Sequence, residues 1–416
     1  MRAVLALGAN LGDRRNTLNA AAERIAGLDQ TRIVRASSIY RSPPLLPAGA
    51  PPDWYKLFYN TALIIDTTLP PHTLLTATQQ IESALGRQRL ATWAPRPIDI
   101  DIIAYGDLTL SDATLTLPHP AATERSFVLA PLAEIAPDFR LNGRSVLAWK
   151  RALQEPLPAW MEIVNVTPDS FSGDGLLADD NGACVLTTSP TVNYIDLGAE
   201  STRPNARTLT PAEEWSRLEP VLGSLDLNEP FRPRVSIDTR HADTARQALT
   251  GGVDVINDVS GLADEAMLGV LADSTCDVVV MHNLGIPADP ATTLDCEDPV
   301  PPVLAFLAAK LDQLAAAGIS RDRVIVDPGI GFGKTALQSW QLLQRAGEFL
   351  QLDTRVLYGH SRKSFLKSIT NVSPIDRDPH TLAISMALAR QHVDIIRVHN
   401  IAMHHHAQEA AWRLNS

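Results

Sequence analysis

The sequence predicts a two-domain α/β protein, a small α+β module followed by a TIM (β/α)8 barrel. Two observations carry the barrel. Eight short apolar runs follow residue 155: Met161–Val166, Tyr194–Leu197, Val235–Ile237, Val253–Ile256, Val278–Met281, Val324–Val326, Val356–Tyr358 and Ile395–Val398. Most are separated by stretches with helical spacing, such as Pro211–Leu225, Ala242–Leu249, Val303–Ala317, Gln338–Ala346 and Pro379–Gln391, and eight strand–helix units in a row are the signature of that barrel. The runs also end on polar side chains: Asn165, Asp196, Asp238, Asn257-Asp258, His282, Asp327, Ser361-Arg362-Lys363, and Arg397 with His399. Asp, Asn and Ser there could be helix caps and turn formers. Lys, Arg and His are not N-cap residues, so the set reads as the catalytic face. Before residue 155 the chain reads as one small α+β module.

A chain of 416 residues with 45% hydrophobic content has ample material for two or three cores. No window resembles a membrane span, and the strand-like start at Met1–Gly8 carries neither a secretory signal nor a transit helix. Cys184, Cys276 and Cys296 are scattered without paired spacing, which suggests reduced thiols in a cytoplasmic setting and neither a disulfide frame nor a zinc site. A net charge of −11 disfavours non-specific nucleic-acid binding but not small anions held by a few arginines.

Within the first module, Val4–Leu7 reads as a strand, Gly8–Asp13 as a turn and Arg14–Ile25 as a helix. Ile33–Tyr40 and Leu57–Thr67 read as strands separated by a Pro/Gly/Ala-rich loop, and Pro71–Leu85 as an amphipathic helix with Leu74, Leu75, Thr78, Ile81 and Leu85 on one side. The segment Ile98-Asp99-Ile100-Asp101-Ile102-Ile103 is a strand in which Asp99 and Asp101 share a face. Two carboxylates beside Arg87, Arg89 and Arg96 suit a metal–polyphosphate site, the carboxylates for Mg²⁺ and the guanidinium forks for phosphate. An isolated D-x-D is more often a half-solvated strand with surface ion pairs; the arginines and the turn at Pro118-His119-Pro120 favour the site. Leu147–Leu153 reads as a helix, and the Pro-broken connector Gln154–Ala159 ends the module. The domains are expected at 1–154 and 155–416.

The motifs Leu7–Gly12, Tyr40–Leu45, Tyr59-Asn60, Gly86-Arg87, Trp93–Asp101, Pro118-His119 and Arg125–Phe127 resemble those of 6-hydroxymethyl-dihydropterin pyrophosphokinases. The resemblance implies a ferredoxin-like α+β fold and transfer of a pyrophosphoryl group from ATP to the pterin hydroxymethyl oxygen. Asp99 and Asp101 would hold two Mg²⁺; Arg87, Arg89, Arg96 and His119 would bind phosphates. Phe58 and Phe127 would sandwich the pterin, Asn60 would hydrogen-bond it, and Trp93 would help seal the loop. Ser42, Pro43, Leu45 and Arg125 are further substrate contacts on this reading. Phe58 stands where Tyr is common, and Thr92 where a further Arg can occur.

In the second module, Asn165–Ser172, Glu200–Pro204, Ser236–Thr239, Ile256–Asp258, Met281-His282, Asp327–Lys334, Gly359–Ser364 and Arg397–Asn400 resemble, in order, the motifs of dihydropteroate synthases. The implied roles are these. Asp238, Asn257, Asp327 and Lys363 bind the pterin ring, with Met281 and Phe332 as apolar cover. Asn165, Arg203, Arg397 and His399 hold pyrophosphate, with one Mg²⁺ near Asn165. Thr202, Arg203 and Pro204, together with Asp169–Ser172, order around p-aminobenzoate, and Lys363 and Ser364 lie near it. Barrels of this kind commonly form homodimers; no nucleic acid or membrane partner is expected. Gly173–Pro190 departs from the expected helix, and Asn400 stands where Asp also occurs.

Two decoys are set aside. Gly329–Thr335 has the end of a phosphate-binding loop, but Pro328 stands where that motif needs its first Gly. His404-His405-His406 falls on an expected terminal helix, where consecutive side chains diverge. Two rival readings stay open: a pterin-binding methyltransferase on the same barrel, which needs neither Lys363 nor Arg397/His399, and a non-catalytic pterin-binding scaffold.

Overall fold

The computed structural model describes residues 1–88, 93–166, 176–178, 184–186, 189, 191–200, 207–289 and 291–414. They form two compact units: Met1–Leu157 with Asn228–Pro233 and the residues from Trp412, and Pro158–Leu227 with Arg234–Ala411. Among the described residues no helix is long and apolar enough to cross a membrane.

The first unit is built on strands β1 (Arg2–Ala9), β2 (Thr31–Ala36), β3 (Tyr40–Ser42), β4 (Phe58–Thr67) and β5 (Asp99–Tyr105). They form an antiparallel sheet in the order β2-β4-β1-β5, with β3 on β4. Helices α1 (Arg14–Ala26) and α2 (Pro71–Ala84) lie between β1 and β2 and between β4 and β5 in the chain. That is the ferredoxin-like βαββαβ arrangement. Asp13 caps α1 by accepting from the Asn16 N–H, and Pro71 at the first turn of α2 gives up an N–H that has no partner there anyway. Two short hairpins follow, β6 (Leu110–Ser111) with β7 (Thr116–Leu117), and β8 (Arg140–Leu141) with β9 (Arg144–Ser145). Helices α3 (Ser126–Ile135) and α4 (Val146–Ala152) complete the unit.

Alternation along the strands makes the sheet apolar on both faces. Leu5, Leu7, Ile100 and Ile102 pack with Leu18 and Ile25 of α1 and Leu74 of α2. Val4, Ile64 and Ile103 pack with Val128 and Leu132 of α3. Asp99 and Asp101 alternate with Ile100 and Ile102, so they emerge on the α3 side.

Two elements differ from the sequence reading. Ile33–Tyr40 is not one strand. A register shift between Ile33 and Arg35 bulges it, and it ends at Ala36, after which the side chains of Ser37 and Ser38 replace the ladder: Ala62 N–H donates to Ser37 Oγ at 2.9 Å, and Glu134 accepts from Ser38 N–H and Oγ at 2.8 and 2.6 Å. Helix α3 was not anticipated, because a buried run containing Pro131 shows no amphipathic period.

The second unit closes eight parallel strands into a barrel: β10 (Ala159–Asn165), β13 (Tyr194–Gly198), β14 (Arg234–Asp238), β15 (Val255–Asp258), β16 (Asp277–Met281), β17 (Val324–Asp327), β18 (Arg355–Gly359) and β19 (Ile395–Val398). A hairpin of β11 (Leu176–Ala178) and β12 (Cys184–Leu186) lies between the first two, within the segment that departs from the expected helix. The helices are α5 (Pro211–Gly223), α6 (Ala242–Thr250), α7 (Glu265–Ala272), α8 (Val300–Ala316), α9 (Ala336–Gln344), α10 (Asp378–Arg390) and α11 (Ile401–Leu414). Of these, α7 is too short to show its period in sequence. Val164, Leu197, Ile237, Ile256, Val280 and Val326 face the helix layer and form the main core. Residues one step away along each strand therefore face the barrel interior. That period sends Asp196, Ser236, Asn257, Asp327 and Arg397 inward together. At the opposite end Asp277 accepts from Arg234 at 2.7 Å and Arg355 at 2.9 Å, a buried charge cluster that tethers three strands.

Candidate active sites

In the first unit, one cleft of about 660 Å³ including its open mouth gathers Ser42, Pro43, Leu45, Phe58, Asn60, Trp93, Arg96, Asp99, Asp101, Arg125 and Phe127. Segments distant in sequence are joined here by the sheet. Asn60, on β4, donates to Ser42 Oγ at 3.0 Å, which fixes its amide. Gly8 leaves a flat space beside it, since a Cβ there would lie 3.3 Å from Asn60 Oδ1 and 3.5 Å from Phe58. Arg96 lies over the Phe58 ring at 5.6 Å and Arg125 over Phe127 at 5.7 Å, so each aromatic face has a cation at its edge. The Arg96 segment is pinned to the end of β1, where Arg96 N–H donates to Asn10 Oδ1 at 2.7 Å.

The two carboxylates are treated unequally. Asp99 receives Arg87 at 2.5 Å and is paired with Arg96. Among the described residues Asp101 pairs only with Arg125, at 3.9 Å. Its carboxyl is pushed above the usual range, by burial first and then by the charge of Asp99. His119 is pushed down, by burial first, with Asp101 opposing. An underpaired acid beside a paired one suits a divalent cation, while the arginines suit phosphates. Among the described residues no group of three or more His, Cys, Asp or Glu could hold a metal alone. Two carboxylates completed by substrate phosphate oxygens are the usual Mg²⁺ arrangement, so the donor set fits. Arg87 and His119 are not among the cleft-lining residues, and Arg89 lies outside the described residues.

Sequence reasoning missed Glu82. It is buried on α2, accepts from Ile100 N–H at 2.7 Å, and also holds Arg87; burial raises its carboxyl, with Arg87 opposing. It thus fixes the guanidinium that fixes Asp99. Its one signal was its place four residues after Thr78, on the edge of the buried stripe.

In the barrel, the interior polar residues form one network. Asp196, fully buried, accepts from Ser236 Oγ at 2.6 Å, Asn257 Nδ2 at 3.0 Å and Arg397 Nε at 2.5 Å. Arg397 also donates to Asp238 at 3.0 Å. One guanidinium thus serves two acids. The Asp238 carboxyl is pushed up to about 8, by burial and then by Asp196, with Arg397 opposing. Burial also raises Asp327, with Lys363 as the chief counterweight, and the Gly329 N–H donates to its Oδ1 at 2.7 Å. Gly359 provides room beside both, since a Cβ there would lie 3.7 Å from Asp327 Oδ2 and 3.8 Å from the Arg397 side chain.

Met281 and Phe332 pack together with Val259 as a small apolar patch. Lys363 Nζ sits 4.3 Å from the Phe332 ring centre and donates to the Ile330 carbonyl at 2.5 Å; burial brings its pKa down to about 8, with Asp327 opposing. His399 Nδ1 meets Ser361 Oγ at 2.8 Å. Asn165 ends β10, and Ser364 opens a short 3₁₀ turn. Thr202, Arg203, Pro204 and Asp169–Ser172 lie outside the described residues. Asp196, noted only as a strand end, is the centre of the network. His404 and His405 are buried and diverge; His404 bonds the Asn400 carbonyl and Ser385 Oγ at 2.7 and 2.9 Å, a structural role.

Residues 161–399 match the family of pterin binding enzymes, and residues 4–137 match the 7,8-dihydro-6-hydroxymethylpterin-pyrophosphokinases. A folate synthesis bifunctional protein of Chlamydia muridarum is 36% identical over 431 residues, spanning 95% of this chain and 94% of that one. A mitochondrial folate synthesis bifunctional protein of Pisum sativum is 32% identical, spanning 96% and 86%. Among solved structures, the dihydropteroate synthase of Anaplasma phagocytophilum with bound 6-hydroxymethylpterin-monophosphate is 34% identical. It covers 62% of this chain and 99% of its own, with a TM-score of 0.54. That of Xanthomonas albilineans with 4-aminobenzoic acid is 31% identical, covers 62% and 93%, and has a TM-score of 0.54.

Proposed function

The chain belongs to the bifunctional folate-synthesis proteins, which join a hydroxymethylpterin pyrophosphokinase to a dihydropteroate synthase, and from that premise we propose how its residues divide the work. The first unit transfers pyrophosphate from ATP to 6-hydroxymethyl-7,8-dihydropterin. The second condenses the ester with p-aminobenzoate, giving 7,8-dihydropteroate and pyrophosphate. The observation that supports the residue assignment is the grouping, in each unit, of apolar faces for a flat ring with cations for phosphate.

In the kinase cleft, Phe58 and Phe127 hold the pterin flat and Asn60 reads its edge. Asp99 and Asp101 would hold two Mg²⁺, which would supply charge neutralisation of the phosphates. Arg96 and Arg125 then exchange carboxylate for phosphate partners, and Trp93 helps close the cleft. The chemistry is alignment and charge neutralisation.

In the barrel, Asp238, Asn257, Asp327 and Lys363 complement the guanidine-like and amide edges of the pterin. Ligand N–H donors that take over Asp238 leave Arg397 anchored by Asp196 and open toward pyrophosphate. Arg397, His399 and Asn165 stabilise the leaving group, and Asn165 would hold one Mg²⁺, which would supply further charge neutralisation. The methylene C–O bond breaks with its electron pair on pyrophosphate, leaving a pterin-stabilised carbocation. The p-aminobenzoate amine attacks that carbon and loses a proton. No covalent enzyme nucleophile takes part. This division is tested with purified full-length protein, ATP, Mg²⁺, hydroxymethyl-dihydropterin and p-aminobenzoate. Dihydropteroate should form, and supplying the ready-made ester should bypass the first unit alone.

A further inference from the structure

Lys334, at the end of the Asp327–Lys334 segment, is buried with its amine pointing at three acceptors. Nζ lies 2.8 Å from His282 Nδ1, 2.9 Å from the Phe332 carbonyl and 3.3 Å from the His282 carbonyl. An ammonium has three N–H donors and no acceptor, so the three contacts satisfy it. They also require His282 to present the Nδ1 lone pair and to stay neutral. Burial pushes His282 down to about 3, and the neighbouring Lys334 charge adds to this. The His282 ring is held from another side by Phe306, edge-on at 4.7 Å.

The backbones around this amine are already pressed together. A Cβ at Gly329 would lie 1.9 Å from the His282 carbonyl oxygen, and one at Gly333 would lie 2.5 Å from Leu284. Both glycines have positive φ, +70° and +66°, so the loop after β17 reaches the loop after β16 only because side chains are missing. Two carbonyls turned toward one buried point need an N–H donor between them, and the Lys334 amine supplies it, although burial brings its own pKa down to about 7. The loop ends it joins carry Met281 and Phe332, which pack against each other.

We propose that Lys334 is a positioning residue of the synthase, a clamp that fixes Phe332 against Met281 and so sets the slot for the flat pterin substrate. The proposal rests on reading Met281 and Phe332 as the pterin's apolar cover. Lys334 touches no proposed reacting atom, so its loss should appear in the KM for the pterin ester and not in kcat. In the full-length protein, with the ester and p-aminobenzoate supplied directly, Lys334→Met should raise that KM about tenfold with kcat changed less than about threefold. His282→Leu removes the side-chain acceptor and should raise KM in the same way. His282→Gln keeps an acceptor oxygen and should recover most of the loss. The Lys334→Met/His282→Leu double variant should be no worse than about twofold beyond Lys334→Met, since paired residues are non-additive. Circular dichroism and thermal unfolding of the full-length chain report folding of the barrel, and if Lys334→Met does not fold, the His282→Leu and His282→Gln pair decides. Unchanged KM in Lys334→Met, multiplicative effects in the double variant, or a fall confined to kcat overturns the clamp. Phe332→Ala separates the two levels. If it leaves KM unchanged, the apolar-cover reading falls; if it raises KM while Lys334→Met does not, only the clamp falls.

Discussion

Both sites are built to take a pterin carrying or receiving pyrophosphate, yet their charges are placed at different depths. In the kinase cleft the arginines are part-exposed, with Arg87, Arg96 and Arg125 side chains 25%, 28% and 24% accessible. In the barrel, Asp196 is fully buried and Arg397 is shared between two acids. Shallow pairs can be exchanged at little cost, because water and incoming phosphates replace the lost partner. The deep Asp196–Arg397 pair is stiff, because an abandoned charge in low dielectric costs several kcal/mol. The kinase must rearrange several charges around ATP, so it keeps them near solvent. The synthase must present fixed edges to a flat ring and hold a departing anion, so it fixes its charges in advance.

That contrast can be tested from the largest effect down. Asp101→Ala removes the less paired of the two carboxylates proposed to hold metal. It should lower the kinase step by at least about 1,000-fold and leave the synthase step within about twofold; loss of both steps in a folded protein would falsify the separation. Arg397→Met should lower synthase kcat/KM by about 100- to 1,000-fold. It should also cost about 3 kcal/mol of stability in a denaturant titration, because Asp196 and Asp238 lose their shared cation; a purely kinetic effect would show that the pair is not stiff. Glu82→Gln, which loosens Arg87, should cost the kinase about 10- to 100-fold by analogy with second-layer partners of metal sites, and an unchanged rate would remove Glu82 from the site. The synthase rate should fall as pH rises through about 8, where Lys363 loses its proton. Lys363→Arg stays charged, so it should move that limb upward even if its overall rate is lower; a limb that does not move assigns it elsewhere. Smallest, Asn400→Ala deletes a 3.0 Å bond to Asp378 and should cost about 1 kcal/mol by thermal unfolding, with the kinase unaffected.

Legibility followed the same division. Asp99 and Asp101 could be placed on one strand face because a period of two needs no tertiary information. Asp238, Asn257, Asp327 and Arg397 were readable because each ends an apolar run, and the barrel collects strand ends by construction. Glu82 and Asp196 were not readable as anchors. One looked like a charge on an amphipathic helix and the other like a strand terminus, and their roles depend on partners 5 to 201 residues away. Lys334 was set aside with a phosphate-loop decoy, and only the approach of the β16 and β17 loops shows what its amine does.

The sequence by itself determined the order of most elements, the two-domain plan and which polar residues would gather at the strand ends, because local period, turn chemistry and motif order are properties of the chain. Tertiary structure decided which charge compensates which. Asp99 is held by Arg87, and Arg87 by Glu82. Asp196 and Asp238 divide one guanidinium, and Lys334 is closed over by three acceptors. Those partnerships depend on distances of 2.5 to 3.3 Å between side chains from separate elements, and no pattern along the chain specifies them.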